Sequence, residues 1–122
     1  MGNECLEYTS IEDMINKPFE VEGGEFKQCW ALCRHIFSLM GKVLPNNVRD
    51  MVRVKSPSVG DVVLFNAGNE WHTGVVWPDC IHFIHARPPL DSNLKGPWIV
   101  EKKGITHPIY RKIIDGFFAI KD

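Results

Sequence analysis

The apolar residues of this sequence change from the spacing of a helix to the spacing of strands near its middle. From Cys29 to Met40 they recur at helical spacing and form one stripe, and Gly41 then supplies a natural C-cap. Later in the chain, β-branched and aromatic residues occur in short runs that turn residues separate, at 61–65, 72–77 and 81–86. A helix followed by strands that short turns connect predicts an α+β fold with an antiparallel sheet.

Further elements are predicted on either side of this pattern. Ser10 is expected to start a short helix that Lys17-Pro18 ends, and residues 19–27 are expected to form a loop around Gly23-Gly24. The remaining predictions are turns at 67–70 and 78–80, a surface loop at 87–97, and strands at 98–101, 109–114 and 116–120.

The length and composition fit a single globular domain over residues 1–122, with a core at about 11–120. Hydrophobic residues make up 44% and charged residues 24%, which argues against a disordered chain. Lys and Arg number 14 against 15 Asp and Glu, so the net charge is −1. This near-zero net charge argues against a dedicated nucleic-acid-binding protein and against a polybasic protein that binds membrane surfaces, because both depend on an excess of positive charge.

The amino terminus and the cysteines indicate a protein made in a reducing cytoplasm. The first residues are acidic and lack the apolar region of a secretory signal. No apolar run approaches the roughly 18 residues that a membrane span needs. The cysteines, Cys5, Cys29, Cys33 and Cys80, are too sparse for a disulfide scaffold and are predicted to be free thiols. Later release, or incorporation into a particle, stays open.

One cysteine and two histidines form the candidate catalytic constellation. Cys29 lies in the first turn of the helix, where the positive end of the helix dipole favours a thiolate. His72 opens one strand and His85 ends the next, and strand alternation places His85 on the same face as Phe83. Gly74, on the His72 face, would leave room for the helix N-terminus to approach. These positions fit a Cys–His–X triad, whose third member orients the imidazole of the base.

These residues also have structural interpretations. Cys29 lies on the apolar stripe and would be an ordinary buried cysteine if it had no catalytic role. A register error of one residue would put His82 in the place of His85 on the inward face. A metal site is a further alternative, but the cysteines and histidines lack the paired spacing of metal ligands, so no metal or other cofactor is expected.

Five short motifs occur in order along the chain. They are Pro18-Phe19 with Gly23-Gly24, Gln28-Cys-Trp-Ala-Leu-Cys-Arg34, Val59-Gly60-Asp61-Val-Val-Leu-Phe65, His72-Thr-Gly-Val-Val76 and Phe83-Ile-His-Ala86. They resemble, in the same order, Pro-Tyr…Gly-Gly, Asp-Cys-Trp-Gly-Leu-Val-Arg, Pro-Gly-Asp-Leu-Val-Phe, His-Val-Gly-Ile and Phe-Ile-His-Ala of the NlpC/P60 cysteine peptidases. The resemblance is to the subtype found as phage-tail cell-wall peptidases.

The resemblance implies a papain-like α+β fold in which the nucleophile helix packs on an antiparallel sheet. Cys29 would be the nucleophile, His72 the general base, and His85 the residue that orients His72. The Cys29 backbone N–H would be one oxyanion donor. The implied reaction is hydrolysis of an amide bond in peptidoglycan stem peptides through a thiolate–imidazolium pair.

The sequence departs from the family pattern at three of these positions. Gln28, Ala31 and Phe19 stand where the family has Asp, Gly and Tyr. These changes bear on substrate preference and on activity, so the alternative is an idle domain that serves as a structural component of an assembly. The expected partners are the peptidoglycan stem peptide and phage-tail or other assembly proteins, with neither nucleic acid nor a membrane.

Overall fold

The computed structural model describes residues 10–19, 28–68, 70–87 and 98–121, and residues 10–12 are helical. Its further elements are β1 (Pro18–Phe19), α1 (Gln28–Leu39), a 3₁₀ turn (Val48–Asp50), β2 (Val52–Val54), β3 (Val62–Ala67), β4 (Glu70–Val76), β5 (His82–Arg87), β6 (Trp98–Gly104), α2 (Pro108–Arg111) and β7 (Ile114–Ala119).

The described strands form one antiparallel sheet in the order β1-β6-β5-β4-β3-β7-β2. β3 to β6 are a meander, in which each strand pairs with the next one along the chain. β7 returns to pair with β3, and β2 closes the far edge. A helix on an antiparallel sheet is the α+β fold that the change of hydrophobic spacing predicts.

The apolar stripe of α1 packs on one face of this sheet. Leu32, Cys33, Ile36 and Phe37 are all buried, because they share the side of the helix that meets the strands. Gly41 ends the helix with a φ of 70°, and the Lys42 N–H donates to the Phe37 carbonyl at 2.8 Å. This is the glycine C-cap that the sequence predicts.

The other face of the sheet carries a second, smaller cluster. Val63, Phe65 and Phe83 form its buried centre, and residues around α2, including Tyr110 and Ile113, cover it. Side chains alternate between the two faces along each strand, so Leu64 packs with α1 while its neighbours Val63 and Phe65 pack on the opposite side.

Both turns predicted within the meander are present. Gly68 follows β3 with a φ of 76°, and β4 begins at residue 70. In the next turn, Cys80 has a φ of 62°, and the Asp79 carboxylate accepts hydrogen bonds from the backbone N–H groups of Ile81 and His82. Such side-chain acceptors stabilise a turn whose backbone groups lack strand partners.

The predicted strand at 109–114 is wrong, because the chain forms the short helix α2 there. His107 caps it, since its Nδ1 accepts from the Ile109 N–H at 3.2 Å. Pro108 occupies the first turn, where its missing N–H costs nothing. The strand begins only at Ile114, and the strand predicted at 116–120 is confirmed within β7.

The edge strands of the sheet are the part of the fold that the sequence predicted least. The edge strands β1 and β2 were not expected from the sequence, because each has only two or three residues. Residues 20–27 and 88–97, which include most of both predicted loops, lie outside the described residues, as does Cys5.

Cys29, Cys33 and Cys80 are free thiols, as predicted. Among the described helices, none combines the length and the apolar character needed to cross a membrane.

Candidate active site

Cys29 lies at the second position of α1, beside a cleft. The thiol is partly buried. The cleft has a volume of about 580 Å³ and is lined by Cys29, Trp30, Asn46, Asn47, Val48, Arg49, Leu64, Trp71 and Thr73. A partly exposed thiol at a helix start, facing a cleft, has the access that a nucleophile needs.

Cys33, one turn further along α1, has a different environment. It is buried, and its Sγ donates to the Thr73 hydroxyl at 3.6 Å. Burial raises the pKa of the Cys33 thiol to about 12, despite that hydrogen bond. Cys33 is therefore an inert thiol at neutral pH and serves the packing of α1 on the sheet.

His72 and His85 lie together on the other face of the sheet. His72 Nε2 and His85 Nδ1 are 2.6 Å apart, and the two rings meet edge to face. The register explains the contact, because Gly74 is the β4 residue directly opposite His85, and His72 precedes it by two residues on the same face. The two strands thus hold the imidazoles in a hydrogen-bonded pair.

Gly74 makes room for this pair rather than for α1. A Cβ at position 74 would lie 2.8 Å from the Ile84 carbonyl oxygen, 3.1 Å from the Phe83 ring and 3.3 Å from the His85 Cβ. The expectation that it admits the helix N-terminus is wrong, because Thr73, its neighbour in β4, is the residue that faces α1.

The His85 ring continues into a carboxylate that the sequence analysis did not single out. His85 Nε2 is 3.1 Å from Glu101 Oε1, and the Tyr110 hydroxyl donates to the same oxygen at 3.4 Å. Arg87 Nε lies 3.2 Å from Glu101 Oε2. Glu101 is the β6 residue directly opposite His85, and only the pairing register of the two strands, which the sequence does not give, identifies it.

Burial dominates the electrostatics of the histidine pair. Phe65, Phe83 and Tyr110 surround the two rings with aromatic surface. Burial, and then the neighbouring His85, lowers the pKa of His72 from 6.5 to about 3. Burial also lowers the pKa of His85, although the hydrogen bond to Glu101 opposes that effect. Both imidazoles are therefore neutral at neutral pH, which argues against a standing thiolate–imidazolium pair.

The structure pairs two of the three predicted catalytic residues with each other, and the third, Cys29, lines a cleft together with Trp71 and Thr73, the two neighbours of His72 in β4. His72 and His85 form a pair, whereas Cys29 lies at the cleft on the α1 face of the sheet. His72 adjoins Thr73 in β4, and because strand side chains alternate, its ring lies on the opposite face from the Thr73 contact with α1. No hydrogen bond joins Cys29 to His72 in the described part of the chain.

The remaining candidates fall outside this site. His82 is the first residue of β5, and its Nδ1 is 2.6 Å from the Asp79 carboxylate in the preceding turn, while His85 is the buried histidine of that strand. Across residues 10–19, 28–68, 70–87 and 98–121, no group of three or more His, Cys, Asp or Glu side chains is arranged to hold a metal ion.

Comparison with known proteins identifies the fold. No protein-family model and no curated protein matches the sequence. Among solved structures, the chain is similar to a Staphylococcus aureus protein of the NLP/P60 family described as similar to lipoprotein, with a TM-score of 0.62 and 18% identity. The match covers 95% of this chain and 41% of that protein, so the chain spans less than half of its length. The chain thus has the α+β fold of an NlpC/P60 domain, with its helix packed on the antiparallel sheet.

Proposed function

We propose that this chain is a cysteine peptidase or amidase of the NlpC/P60 family, and that it hydrolyses an amide bond in peptidoglycan stem peptides. The observation that carries the proposal is a partly buried thiol, Cys29, at a helix start beside a cleft, on a fold that an NLP/P60-family protein shares. The His72–His85 pair on the neighbouring strands supports it, because a cysteine hydrolase needs an oriented imidazole base.

In the proposed reaction, the Cys29 thiol transfers its proton to His72 as its sulfur attacks the carbonyl carbon of the scissile amide. The leaving amine takes that proton from His72, and an acyl-enzyme forms on Sγ. Water then attacks the acyl carbon while His72 accepts one of its protons, the C–Sγ bond breaks, and His72 returns that proton to the departing sulfur. The acyl group leaves as a carboxylic acid that ionises in water. Because the pKa of His72 is lowered to about 3, the base is neutral beforehand and the proton moves during attack.

The cleft beside Cys29 has the chemistry for a peptide with acidic groups. Arg49 supplies a positive charge to the lining of the cleft, and Asn46 and Asn47 supply amide groups. Trp71 is 57% exposed at the cleft and offers an aromatic surface to a bound chain. The phage-tail subtype and any tail partner are a narrower form of the same proposal, and they rest on the motif resemblance alone.

Cleavage of purified muropeptides, followed by mass spectrometry, tests the proposal. Cys29→Ala should abolish product formation and leave folding intact, because the side chain is only partly buried. The matched control is Cys80→Ala, since that thiol is also partly buried but lies in the β4–β5 turn, where its nearest acceptor is the Pro78 carbonyl. Undiminished cleavage by Cys29→Ala would show that Cys29 is not the nucleophile.

A second candidate function is a catalytically idle NlpC/P60-like domain with a structural role in an assembly. The placement of the histidine pair on the face of the sheet opposite the Cys33–Thr73 contact favours it, because α1, which carries Cys29, packs on that other face. Catalysis requires Sγ and His72 Nδ1 to come together when substrate binds, as catalytic contacts often do. The alternative holds if the wild-type protein releases no product and Cys29 is alkylated no faster than Cys80 at pH 7.

A further inference from the structure

Glu101 ends a line of hydrogen bonds that begins at His72. His72 Nε2 contacts His85 Nδ1 at 2.6 Å, and His85 Nε2 contacts Glu101 Oε1 at 3.1 Å. We propose that Glu101 is a positioning residue that fixes the tautomers of both histidines and leaves His72 Nδ1 as the proton acceptor. The part of this inference that concerns catalysis rests on the proposed function, whereas the part that concerns tautomers does not.

The nitrogen that carries the proton in each histidine follows from Glu101, which is the acceptor at the end of this chain of hydrogen bonds. An ionised carboxylate can only accept, so His85 must donate from Nε2–H to Glu101. A neutral imidazole has one N–H, so His85 Nδ1 is unprotonated and accepts from His72 Nε2–H. The same rule then leaves His72 Nδ1 with a free lone pair, which is the atom that can take a proton from a thiol.

The surroundings of Glu101 keep it ionised. The hydrogen bond from His85 is the main cause that lowers the pKa of Glu101, and the positive charges of Lys103 and Arg87 act in the same direction. Arg87 Nε contacts Oε2 at 3.2 Å, while Tyr110 donates to Oε1 at 3.4 Å. Both carboxylate oxygens therefore have donors, and neither needs a proton of its own.

His85 must be neutral for this arrangement of protons on the two histidines to exist. His85 is only 1% exposed, and burial lowers its pKa. An imidazolium at this position would donate from Nδ1–H as well, which would force His72 to carry its proton on Nδ1 and remove the free lone pair. A neutral His85 beside an ionised Glu101 therefore gives the only arrangement of this pair that leaves His72 a base toward the cysteine.

The wild-type protein itself provides the first test, with no substitution needed. In protein labelled with ¹⁵N-histidine at neutral pH, long-range ¹H–¹⁵N spectra should show His72 and His85 both protonated at Nε2. A proton on Nδ1 of either ring overturns the proposal.

Glu101→Gln provides the second test, because the amide keeps the shape but can donate as well as accept. We expect the tautomers of both histidines to become mixed, and kcat for muropeptide cleavage to fall about ten- to hundredfold with KM unchanged. Two controls should keep the wild-type tautomers. Lys102→Gln lies next to Glu101 in β6 but contacts Trp77, and Tyr110→Phe removes a donor to Oε1 without changing the carboxylate.

The two proposals can fail separately. Unchanged tautomers in Glu101→Gln, or the same change in Lys102→Gln, would overturn the role of Glu101. If the tautomers respond as expected but the wild-type protein cleaves no muropeptide, the peptidase proposal fails and the positioning role of Glu101 stands.

Discussion

Gly74 is the position at which the packing of the histidine pair can be tested most directly. It lies in β4, opposite His85 in β5. A Cβ added there would be 2.8 Å from the Ile84 carbonyl oxygen, which is 0.6 Å closer than the 3.4 Å at which ordinary contact begins. The carbonyl belongs to the backbone of β5, so Gly74→Ala can be accommodated only by moving that strand.

The magnitude follows from two opposing effects. Overpacking of this kind typically costs about 1–3 kcal/mol. Replacing glycine also restricts the unfolded chain, which stabilises the folded state by about 0.4–1 kcal/mol. We therefore expect Gly74→Ala to lower the free energy of unfolding by about 1–2 kcal/mol, and to lower Tm by about 4–8 °C.

Urea unfolding at pH 7 measures this change, with the m-value serving as a check on two-state behaviour. Gly104→Ala is the matched control, since it substitutes another glycine in the sheet but its Cβ would meet nothing closer than 3.9 Å. Its free energy of unfolding should be unchanged or higher by up to about 1 kcal/mol, because the restriction of the unfolded chain applies there too and no overpacking opposes it. A Gly74→Ala protein as stable as the wild type, or equal losses in both variants, would refute the packing argument.

Two further predictions concern the helix cap and pH. Gly41→Ala should lower the free energy of unfolding by about 1–2 kcal/mol, because Gly41 has a φ of 70°, a left-handed conformation that is costly for a residue with a Cβ. Urea unfolding measures the loss, and a negligible loss would contradict the prediction. The pKa of His72 is lowered from 6.5 to about 3, so the unfolded chain binds a proton more readily than the folded one. The free energy of unfolding should therefore be greatest above pH 6.5 and should fall by about 2 kcal/mol between pH 7 and pH 5 from His72 alone. The fall should be smaller in His72→Gln, and an identical fall in both proteins would refute this account.

The elements that could be predicted from the sequence are those that local patterns determine. The stripe of α1 and its Gly41 cap depend on spacing within one segment, and the meander depends on short runs and their turns. The failed prediction at 109–114 shows the limit of such patterns. The β-branched residues there favour a strand, but Pro108 and the His107 cap begin a helix, and these two local signals prevail over propensity.

The site was less predictable, because its contacts depend on register between strands. His85 could be placed on the inward face by alternation within β5, whereas its contact with Glu101 needs the pairing of β5 with β6. Residues 88–97 separate those strands along the sequence, and nothing in their composition states the register. The same limit explains the wrong expectation at Gly74. Alternation predicted which face of the sheet it shares with His72, but not that β5 packs against it there.

The nucleophile and the base proposed here are carried by different elements, so what joins those elements matters for activity. Cys33 lies one turn after Cys29 in α1, and Thr73 directly follows His72 in β4. The buried contact between Cys33 Sγ and Thr73 Oγ1, at 3.6 Å, therefore sets the position of the thiol relative to the strand that carries the base. The histidines are held independently by the pairing of β4 with β5 and of β5 with β6. The contacts that hold α1 on β4 are therefore separate from those that hold the histidines, so loss of the Cys33–Thr73 contact breaks no hydrogen bond among His72, His85 and Glu101.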